Sequence, residues 1–173
     1  MATWSGVTFD YSAKTVVVTG GSGGIGSAIA RGFRDAGAEV TITGTQETAD
    51  GYEDDLAEMR YVRLDVRDGD AVAALGAETP RLDALVNAAG ALMPGGRSEY
   101  DPEAFAATVD INLNGGFRCA RAFLPGLEAA GGAIVNIASM TSYFGHPIVP
   151  GYGSSKGGVV AMTRSLAVAW AVQ

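Results

Sequence analysis

The sequence predicts an α/β protein with a doubly wound parallel sheet. Short β-branched runs alternate with segments whose apolar residues follow helical spacing, and a glycine-rich stretch joins the first run to the first of those segments. Alternating strands and helices favour right-handed crossovers, which place helices on both faces of a parallel sheet. The length of 173 residues, with 47% apolar and 18% charged residues, fits one domain spanning residues 1–173.

Five apolar runs predict the strands of this sheet. The first run, Thr-Val-Val-Val, is continuous and β-branched, as is typical of a strand buried on both faces. In chain order the predicted strands are 15–18, 39–43, 61–64, 84–86 and 133–138.

Helical segments are predicted between the strands. Ile25, Ala28, Ile29 and Phe33 recur at helical spacing, and Gly37 is placed to end that helix in a left-handed conformation. The remaining predicted helices are 53–59, 68–77, 102–130 and 151–170.

Charge and composition exclude several classes of protein. The net charge is −7 and the arginines are scattered, so no basic patch is available for nucleic acid. No apolar stretch reaches the length of a membrane span, and the first residues lack the regions of a signal peptide, so we expect a soluble, cytoplasmic protein. A single cysteine, Cys119, and a single histidine, His146, predict neither an internal disulfide nor a metal site. Cys119 is most simply a small buried apolar residue, and His146 a loop residue.

The glycine-rich stretch Thr-Gly-Gly-Ser-Gly-Gly-Ile-Gly lies where a phosphate-binding loop is expected. It places Gly20, Gly24 and Gly26 between a buried strand and a helix. Glycine allows a tight turn and close backbone approach, and the free amides and positive dipole end of the helix attract an anion. A flexible loop without a ligand would also be rich in glycine, but the strand and helix on either side favour a dinucleotide site.

The stretch Tyr-Gly-Ser-Ser-Lys suggests proton-transfer chemistry. A free tyrosine has a pKa near about 10, and a neighbouring cation lowers it by favouring the phenolate. Residues four apart share a helix face, so Lys156 would lie beside the Tyr152 hydroxyl. Such a phenol could protonate the alkoxide formed when a carbonyl is reduced. The alternative is a core tyrosine next to a solvated surface lysine.

Together these motifs resemble the short-chain dehydrogenase/reductase family from about Thr15 to the end of the chain. The glycine loop is similar to the family's Thr-Gly-x-x-x-Gly-x-Gly, and residues 64–66 and 87–90 match two later motifs, with Ala88 replacing the family's second asparagine. Ser139 precedes Tyr152 by the family's thirteen residues. The resemblance implies a Rossmann-like doubly wound parallel sheet with strand order 3-2-1-4-5, lacking the family's last two strands.

The resemblance also implies the roles of individual residues. Ser139 would hydrogen-bond the substrate oxygen, Tyr152 would act as general acid and base, Lys156 would also bind the nicotinamide ribose, and Asn112 would hold a water that links the lysine to solvent. Ser139 could otherwise cap a loop, and Asn112 could satisfy backbone groups at a helix distortion. The residues implied to contact the cofactor are Gly20, Ser22, Gly24, Ile25, Gly26, Thr45, Asp65, Val66, Asn87, Ala88, Gly90, Tyr152 and Lys156.

The segment after the second strand bears on the choice of cofactor. Residues 43–46 read Thr-Gly-Thr-Gln, with no acid to accept bonds from the adenosine ribose and exclude a 2′-phosphate. Gly44 and Thr45 resemble the corresponding point of some NADP-using ketoacyl carrier-protein reductases. We therefore expect NADP in preference to NAD.

The end of the sequence carries two further expectations. Family members usually continue with two strands and a helix pair over the substrate cleft, so strand 133–138 is expected to form a sheet edge if the protein ends at Gln173. Helices 102–130 and 151–170 are apolar over much of their circumference, which predicts a homodimer or homotetramer through these helices, as in the family.

The function that fits these patterns is an NAD(P)-dependent oxidoreductase that interconverts a secondary alcohol and a ketone by hydride transfer. Its partner would be a small-molecule alcohol or ketone, with neither a nucleic acid nor a membrane as a partner. The alternative is a non-catalytic, dimerising protein that binds a dinucleotide through the same fold.

Overall fold

The computed structural model describes residues 2–4 and 7–171, and these contain seven strands and five α-helices. The strands are β1 (Ala2–Trp4), β2 (Val7–Phe9), β3 (Thr15–Thr19), β4 (Glu39–Gly44), β5 (Arg60–Arg63), β6 (Ala84–Asn87) and β7 (Ala133–Asn136). The α-helices are α1 (Gly24–Asp35), α2 (Gly69–Ala77), α3 (Pro102–Val109), α4 (Gly115–Ala130) and α5 (Pro150–Trp170). Of the described helices, none has the length and apolar character needed to cross a bilayer.

The main sheet is parallel and has the strand order β5-β4-β3-β6-β7. This confirms the predicted α/β class. The strand numbers differ from the predicted ones because β1 and β2 form a separate two-stranded antiparallel sheet, which the sequence pattern does not predict. Counted within the main sheet, the five strands run 3-2-1-4-5.

The core lies on both faces of the central strand β3. Its three valines, Val16 to Val18, are fully buried because their side chains alternate between the two faces. On one face, Val17 packs with residues of α2 and α4, including Phe123. On the other face, Val16 and Val18 pack with Ile42 of β4 and with α1. The glycine loop that follows β3 is thus attached to a strand whose three central residues are fully buried.

The long helix predicted at 102–130 is one helical stretch with a defect in the middle. A π-helical turn, Asp110–Asn114, joins α3 to α4. Such turns distort the regular ladder of hydrogen bonds and are frequent at functional sites. Gly131, with φ +63°, ends α4 in the left-handed conformation.

The helix predicted at 53–59 is wrong. Only a short 3₁₀ turn, Ala49–Gly51, lies nearby, and the chain from Tyr52 to Met59 is irregular. Glu58 has a φ of +61°, which a right-handed helix excludes. Arg34 also bonds both the Asp55 carboxylate and the Ala57 carbonyl, so contacts with α1 hold this loop in place.

β7 forms one edge of the sheet, as predicted for strand 133–138. The regular strand ends at Asn136, although the Ile137 amide still donates to the Asn87 carbonyl. Val135 remains 47% exposed. Within the described residues, an apolar side chain is therefore exposed at this edge of the sheet.

Candidate active site

The glycine loop between β3 and α1 is shaped by close backbone contacts. A Cβ on Gly20, which has φ +65°, would lie 2.6 Å from the Ala89 Cα. A Cβ on Gly26 would lie 2.2 Å from the Gly20 carbonyl oxygen. Because real Cβ atoms do not come so close to other atoms, glycine is required at both positions. Helix α1 begins directly at this loop, so its first amides face the same space.

A cleft of about 520 Å³ opens beside the loop, at the carboxyl ends of β3, β4 and β6. In open α/β sheets this is the position at which ligands bind. The predicted cofactor residues that line the cleft are Gly20, Ser22, Ile25, Gly26, Thr45, Asp65, Val66, Ala88 and Gly90. Gly24, Asn87, Tyr152 and Lys156 are not among its lining residues. Their contacts with a cofactor remain predictions.

A group of hydroxyls lies at the end of the cleft next to β4. A Cβ on Gly44 would lie 2.4 Å from both the Ser22 and the Tyr52 hydroxyl oxygens, so these two oxygens are close together. Burial favours a raised pKa for Tyr52, but the hydrogen bond from the Gln46 amide at 3.0 Å, together with the nearby hydroxyls of Ser22, Tyr61 and Thr45, outweighs burial and lowers the pKa to about 8. The Tyr52 hydroxyl thus ionises more readily than that of an ordinary tyrosine.

An acidic side chain lies at the start of α1. The Asp54 carboxylate accepts a hydrogen bond from the Gly24 amide at 3.2 Å and pairs with Arg31 at 3.1 Å. An anion is favoured at this point by the helix dipole and the free amides. In this structure the anion is the protein's own carboxylate.

Asp65 and Val66, two and three residues after β5, face the cleft in different ways. Val66 is buried, whereas Asp65 is partly exposed and its carboxylate bonds the Arg67 guanidinium at 3.0 Å. The Arg67 side chain lowers the pKa of Asp65 because it favours the carboxylate. Asp65 is therefore negatively charged and held by its neighbour.

The Asn-Ala-Ala-Gly stretch, which begins at the last residue of β6, contacts both the glycine loop and α4. The Asn87 amide nitrogen donates to the Asn136 side-chain oxygen at 2.9 Å and to the Gly116 carbonyl at 3.3 Å. The Asn87 side-chain oxygen is buried without a hydrogen-bond partner among the described residues. Asn87 therefore links β6 to β7 and α4 behind the cleft.

Asn112 lies in the π-helical turn and is 3% exposed. Its side-chain oxygen accepts from the Ala91 amide at 2.7 Å, and its nitrogen donates to the Ala91 carbonyl at 3.0 Å. The same nitrogen is 3.1 Å from the Ser155 hydroxyl on α5. Asn112 thus satisfies backbone groups, which was the alternative considered above, and it also ties the loop after β6 to the helix that carries Tyr152.

Tyr152 and Lys156 lie on one face of α5, as their spacing predicts. The Lys156 Nζ is 5.7 Å from the centroid of the Tyr152 ring and donates to the Ile137 carbonyl at 2.7 Å. Lys156 is only 5% exposed, and burial lowers its pKa by disfavouring the ammonium. A Cβ on Gly90 would lie 3.6 Å from this Nζ and 3.2 Å from the Asn112 side-chain oxygen, so the lysine, the asparagine and the loop after β6 meet at one point.

Ser139 precedes a 3₁₀ turn, Met140–Ser142, and caps it. Its hydroxyl oxygen accepts from the Thr141 amide at 3.2 Å and from the Thr141 hydroxyl at 3.0 Å. A Cβ on Gly153 would lie 3.5 Å from the Thr141 carbonyl oxygen, so the turn packs against the first turns of α5. Ser139 therefore caps a loop, and that loop lies against the helix that carries Tyr152.

Two polar residues at this end of the sheet lack any sequence signal. Tyr52 lies in the irregular loop after β4, where no periodicity distinguishes it from the other five tyrosines. Glu99 is 1% exposed although it lies in a polar segment before α3. Only the tertiary contacts reveal these two residues.

Comparison with known proteins gives consistent matches over most of the chain. A family model described as short chain dehydrogenase matches residues 14–173. The chain is 38% identical to the cis-4-hydroxycyclohexanecarboxylate dehydrogenase of Sinomonas cyclohexanicum, over 93% of this chain and 69% of that protein. It is 36% identical to the L-fucose dehydrogenase of Mus musculus, over 91% of this chain and 60% of the relative.

A solved structure agrees with these matches. The gluconate 5-dehydrogenase from Burkholderia cenocepacia J2315, in complex with NADP and tartrate, has a TM-score of 0.81 and 28% identity to this chain. The alignment covers 95% of this chain and 68% of that one. This chain thus spans 60% to 69% of the length of these three relatives. Because the family model matches nearly all of its residues, the chain belongs to the short-chain dehydrogenase family.

Proposed function

We propose that this chain binds NADP(H) in the cleft beside the glycine loop and interconverts a secondary alcohol and a ketone. Several features of the cleft fit a dinucleotide. Gly20 and Gly26 leave open the space that a Cβ would fill, and Ile25 and Gly26 line the cleft in the first turn of α1, next to the Gly24 amide that bonds the Asp54 carboxylate. The amides and dipole of α1 are therefore suited to a diphosphate. When bound, the nicotinamide supplies or accepts the hydride.

The observation that carries the proposed activity is the buried lysine beside the tyrosine. In a reduction, the Tyr152 hydroxyl would give its proton to the substrate oxygen and become negatively charged. The Lys156 ammonium, 5.7 Å from the tyrosine ring and largely removed from water, would stabilise that charge. A cation acts more strongly in a dry site than at the surface, because water screens it less.

Ser139 and Asn112 would complete the site. The Ser139 hydroxyl oxygen accepts two hydrogen bonds from Thr141, which leaves its own hydrogen free to point towards a substrate oxygen. Asn112 would fix the loop after β6 relative to α5 through its bonds to Ala91 and Ser155. Both roles depend on local backbone turns, the 3₁₀ turn that Ser139 caps and the π-helical turn that contains Asn112.

The activity is tested by following NADP reduction with cis-4-hydroxycyclohexanecarboxylate, L-fucose and gluconate as alcohols. We expect turnover with at least one secondary alcohol, and a loss of at least about 100-fold in Tyr152→Phe. Tyr11→Phe is the matched control, because Tyr11 packs edge-on against Phe33 in the second half of α1, away from the cleft. Full activity of Tyr152→Phe would contradict the proposed role. Cofactor binding without turnover of any alcohol would favour the non-catalytic alternative.

We also infer a preference for NADP over NAD. Residues 43–46 carry no acid, and the hydroxyls of Ser22, Thr45 and Tyr52 gather where the adenosine ribose would lie. Hydroxyl and amide donors can bind a 2′-phosphate, whereas a carboxylate there would repel it. We expect Thr45→Asp to weaken NADPH binding at least about tenfold and to strengthen NADH binding, with Thr45→Val as the uncharged control. Equal NADPH affinity in wild type and Thr45→Asp would refute this preference.

Exposed apolar side chains of the outer helices support an oligomeric state. Phe117 on α4 is 47% exposed, and Val168 on α5 is 82% exposed. We infer that helices 102–130 and 151–170 form the interface of a homodimer or homotetramer, because a single chain leaves these apolar side chains in water. Sedimentation velocity at micromolar concentration tests this inference, and a monomer would overturn it.

A further inference from the structure

Glu99 is a buried carboxylate that joins three elements of the candidate active site. It is 1% exposed. One carboxylate oxygen accepts from the Met93 amide and from the Thr108 hydroxyl, each at 3.1 Å. The other oxygen accepts from the Tyr152 amide at 2.8 Å. A single side chain thus connects the loop after β6, the last turns of α3 and the first turn of α5.

The contact with Tyr152 replaces a missing helix cap. The first amides of a helix have no partner within the helix and usually bond a side chain at the preceding position. Here that position is Val149, whose side chain cannot accept a bond, and the next residue, Pro150, has no amide hydrogen. Glu99 reaches the third helical residue from another part of the chain and accepts its hydrogen bond.

The carboxylate is balanced by this helix rather than by a cation. Within residues 7–171, Glu99 takes part in no salt bridge, and the neighbouring Arg97 pairs with Asp101 and Glu103. The start of α5 offers a partial positive charge to an anion. The packing is close, because a Cβ on Gly151 would lie 3.2 Å from the Glu99 oxygen. Glu99 is therefore held at one distance from the backbone of Tyr152.

We propose that Glu99 is a positioning residue for catalysis, which sets the depth and orientation of Tyr152 by anchoring the first turn of α5 to the loop after β6. Thr108 stands one turn before Asn112, so the same carboxylate also steadies the helix that leads into the π-helical turn. The proposal rests on the proposed function of Tyr152. Small displacements of a reacting group are costly, because about 1 Å can cost about 100-fold in rate.

Glu99→Gln is the sharpest perturbation. Glutamine keeps the size of the side chain but offers one oxygen as acceptor, whereas three donors from Met93, Thr108 and Tyr152 point at Glu99. We expect kcat to fall about 10- to 100-fold, with the substrate KM and the NADPH Kd within about threefold of wild type. Glu103→Gln is the matched control. Glu103 lies on α3, its side chain is 82% exposed, and it pairs only with Arg97 among the described residues. The kcat of Glu103→Gln should therefore stay within about twofold of the wild-type value.

Amide hydrogen exchange tests the anchoring separately from the activity. In protein labelled with ¹⁵N-tyrosine, the Tyr152 signal is identified by its absence in Tyr152→Phe. A first-turn amide normally exchanges rapidly, so slow exchange of the Tyr152 amide in the wild type, and faster exchange in Glu99→Gln, support the proposal. Rapid exchange in the wild type overturns it.

The kinetic results separate the remaining outcomes. An unchanged kcat in Glu99→Gln, or a kcat that falls together with cofactor affinity, overturns the positioning role. If the wild type turns over no alcohol, the proposed function fails, and the exchange of the Tyr152 amide still decides whether Glu99 anchors this residue. If Glu99→Gln does not fold, the exchange measured on the wild type decides.

Discussion

Replacing Gly26 by alanine tests whether the glycine loop is built by close backbone contact. The new Cβ would lie 2.2 Å from the Gly20 carbonyl oxygen, about 1.2 Å nearer than the 3.4 Å at which ordinary contact begins. The neighbour is backbone, so the start of α1 and the turn at Gly20 must separate. Overpacking of this kind costs about 1–3 kcal/mol, which for a chain of this size lowers Tm by about 2–12 °C.

Gly32→Ala is the matched control in the same helix. A Cβ at Gly32 meets nothing within 4 Å, and the position is exposed. Alanine in a helix interior is favoured over glycine by about 0.5–1 kcal/mol, so Tm should rise by about 1–4 °C. The two substitutions add the same methyl group and are expected to act in opposite directions.

Thermal unfolding with and without NADPH measures both effects. NADPH at about 100 times its Kd should stabilise the wild type and Gly32→Ala by about 2.7 kcal/mol, whereas Gly26→Ala should gain little because its loop no longer fits the diphosphate. Equal stability of the two variants would refute the contact. NADPH stabilisation of Gly26→Ala equal to that of the wild type would refute the place of this loop in the cofactor site.

Four further predictions follow from individual side chains. Asp54→Asn removes a carboxylate from the start of α1 and should tighten NADPH binding by about fivefold at low salt, as measured by fluorescence titration. Burial lowers the pKa of Lys156, so the unfolded chain holds the ammonium proton more tightly than the folded protein does. Lys156→Met should therefore raise Tm near pH 7, and this gain should vanish as the pH rises past 10.5, the pKa of the unfolded lysine. The same variant should lose at least about 100-fold in kcat. Asp68→Ala removes the cap of α2, which bonds the Ala71 amide, and should cost about 1 kcal/mol in urea unfolding. Burial raises the pKa of Cys119 to about 12, so a thiol reagent should modify the protein only after urea unfolds it.

Much of the fold could be predicted because its signals are local. The run 15–18 is apolar and β-branched at every position, and the structure extends this strand by only one residue, to Thr19. The predicted helix 68–77 also forms, with Asp68 as its cap. The helix predicted at 53–59 does not form, because contacts between distant parts of the chain outweigh helical spacing. The main contacts are those of Arg34 with the loop.

The candidate site likewise contains contacts that could be predicted from the sequence and contacts that could not. The closeness of Tyr152 and Lys156 follows from the geometry of one helix and could be predicted from their spacing. Glu99 lies 53 residues before Tyr152, so no periodic pattern links the two. Tyr52 belongs to an irregular loop, and its part in the hydroxyl group depends on the strand that precedes it. Helical spacing is visible in one segment, whereas these contacts exist only once the chain has folded.

The order of the sheet has a consequence for how the chain is made. Strand β3 pairs with β4 through Val16 and Val40, and with β6 through Val16 and Ala84. Contacts between distant residues form slowly, and a ribosome delivers the N-terminal residues first. During synthesis, β3, β4 and β5 can therefore assemble as three strands of the sheet before Ala84 has emerged to pair with the other edge of β3. Strand β3, whose three valines are fully buried in the folded protein, thus keeps one edge unpaired until about half of the chain has been synthesised.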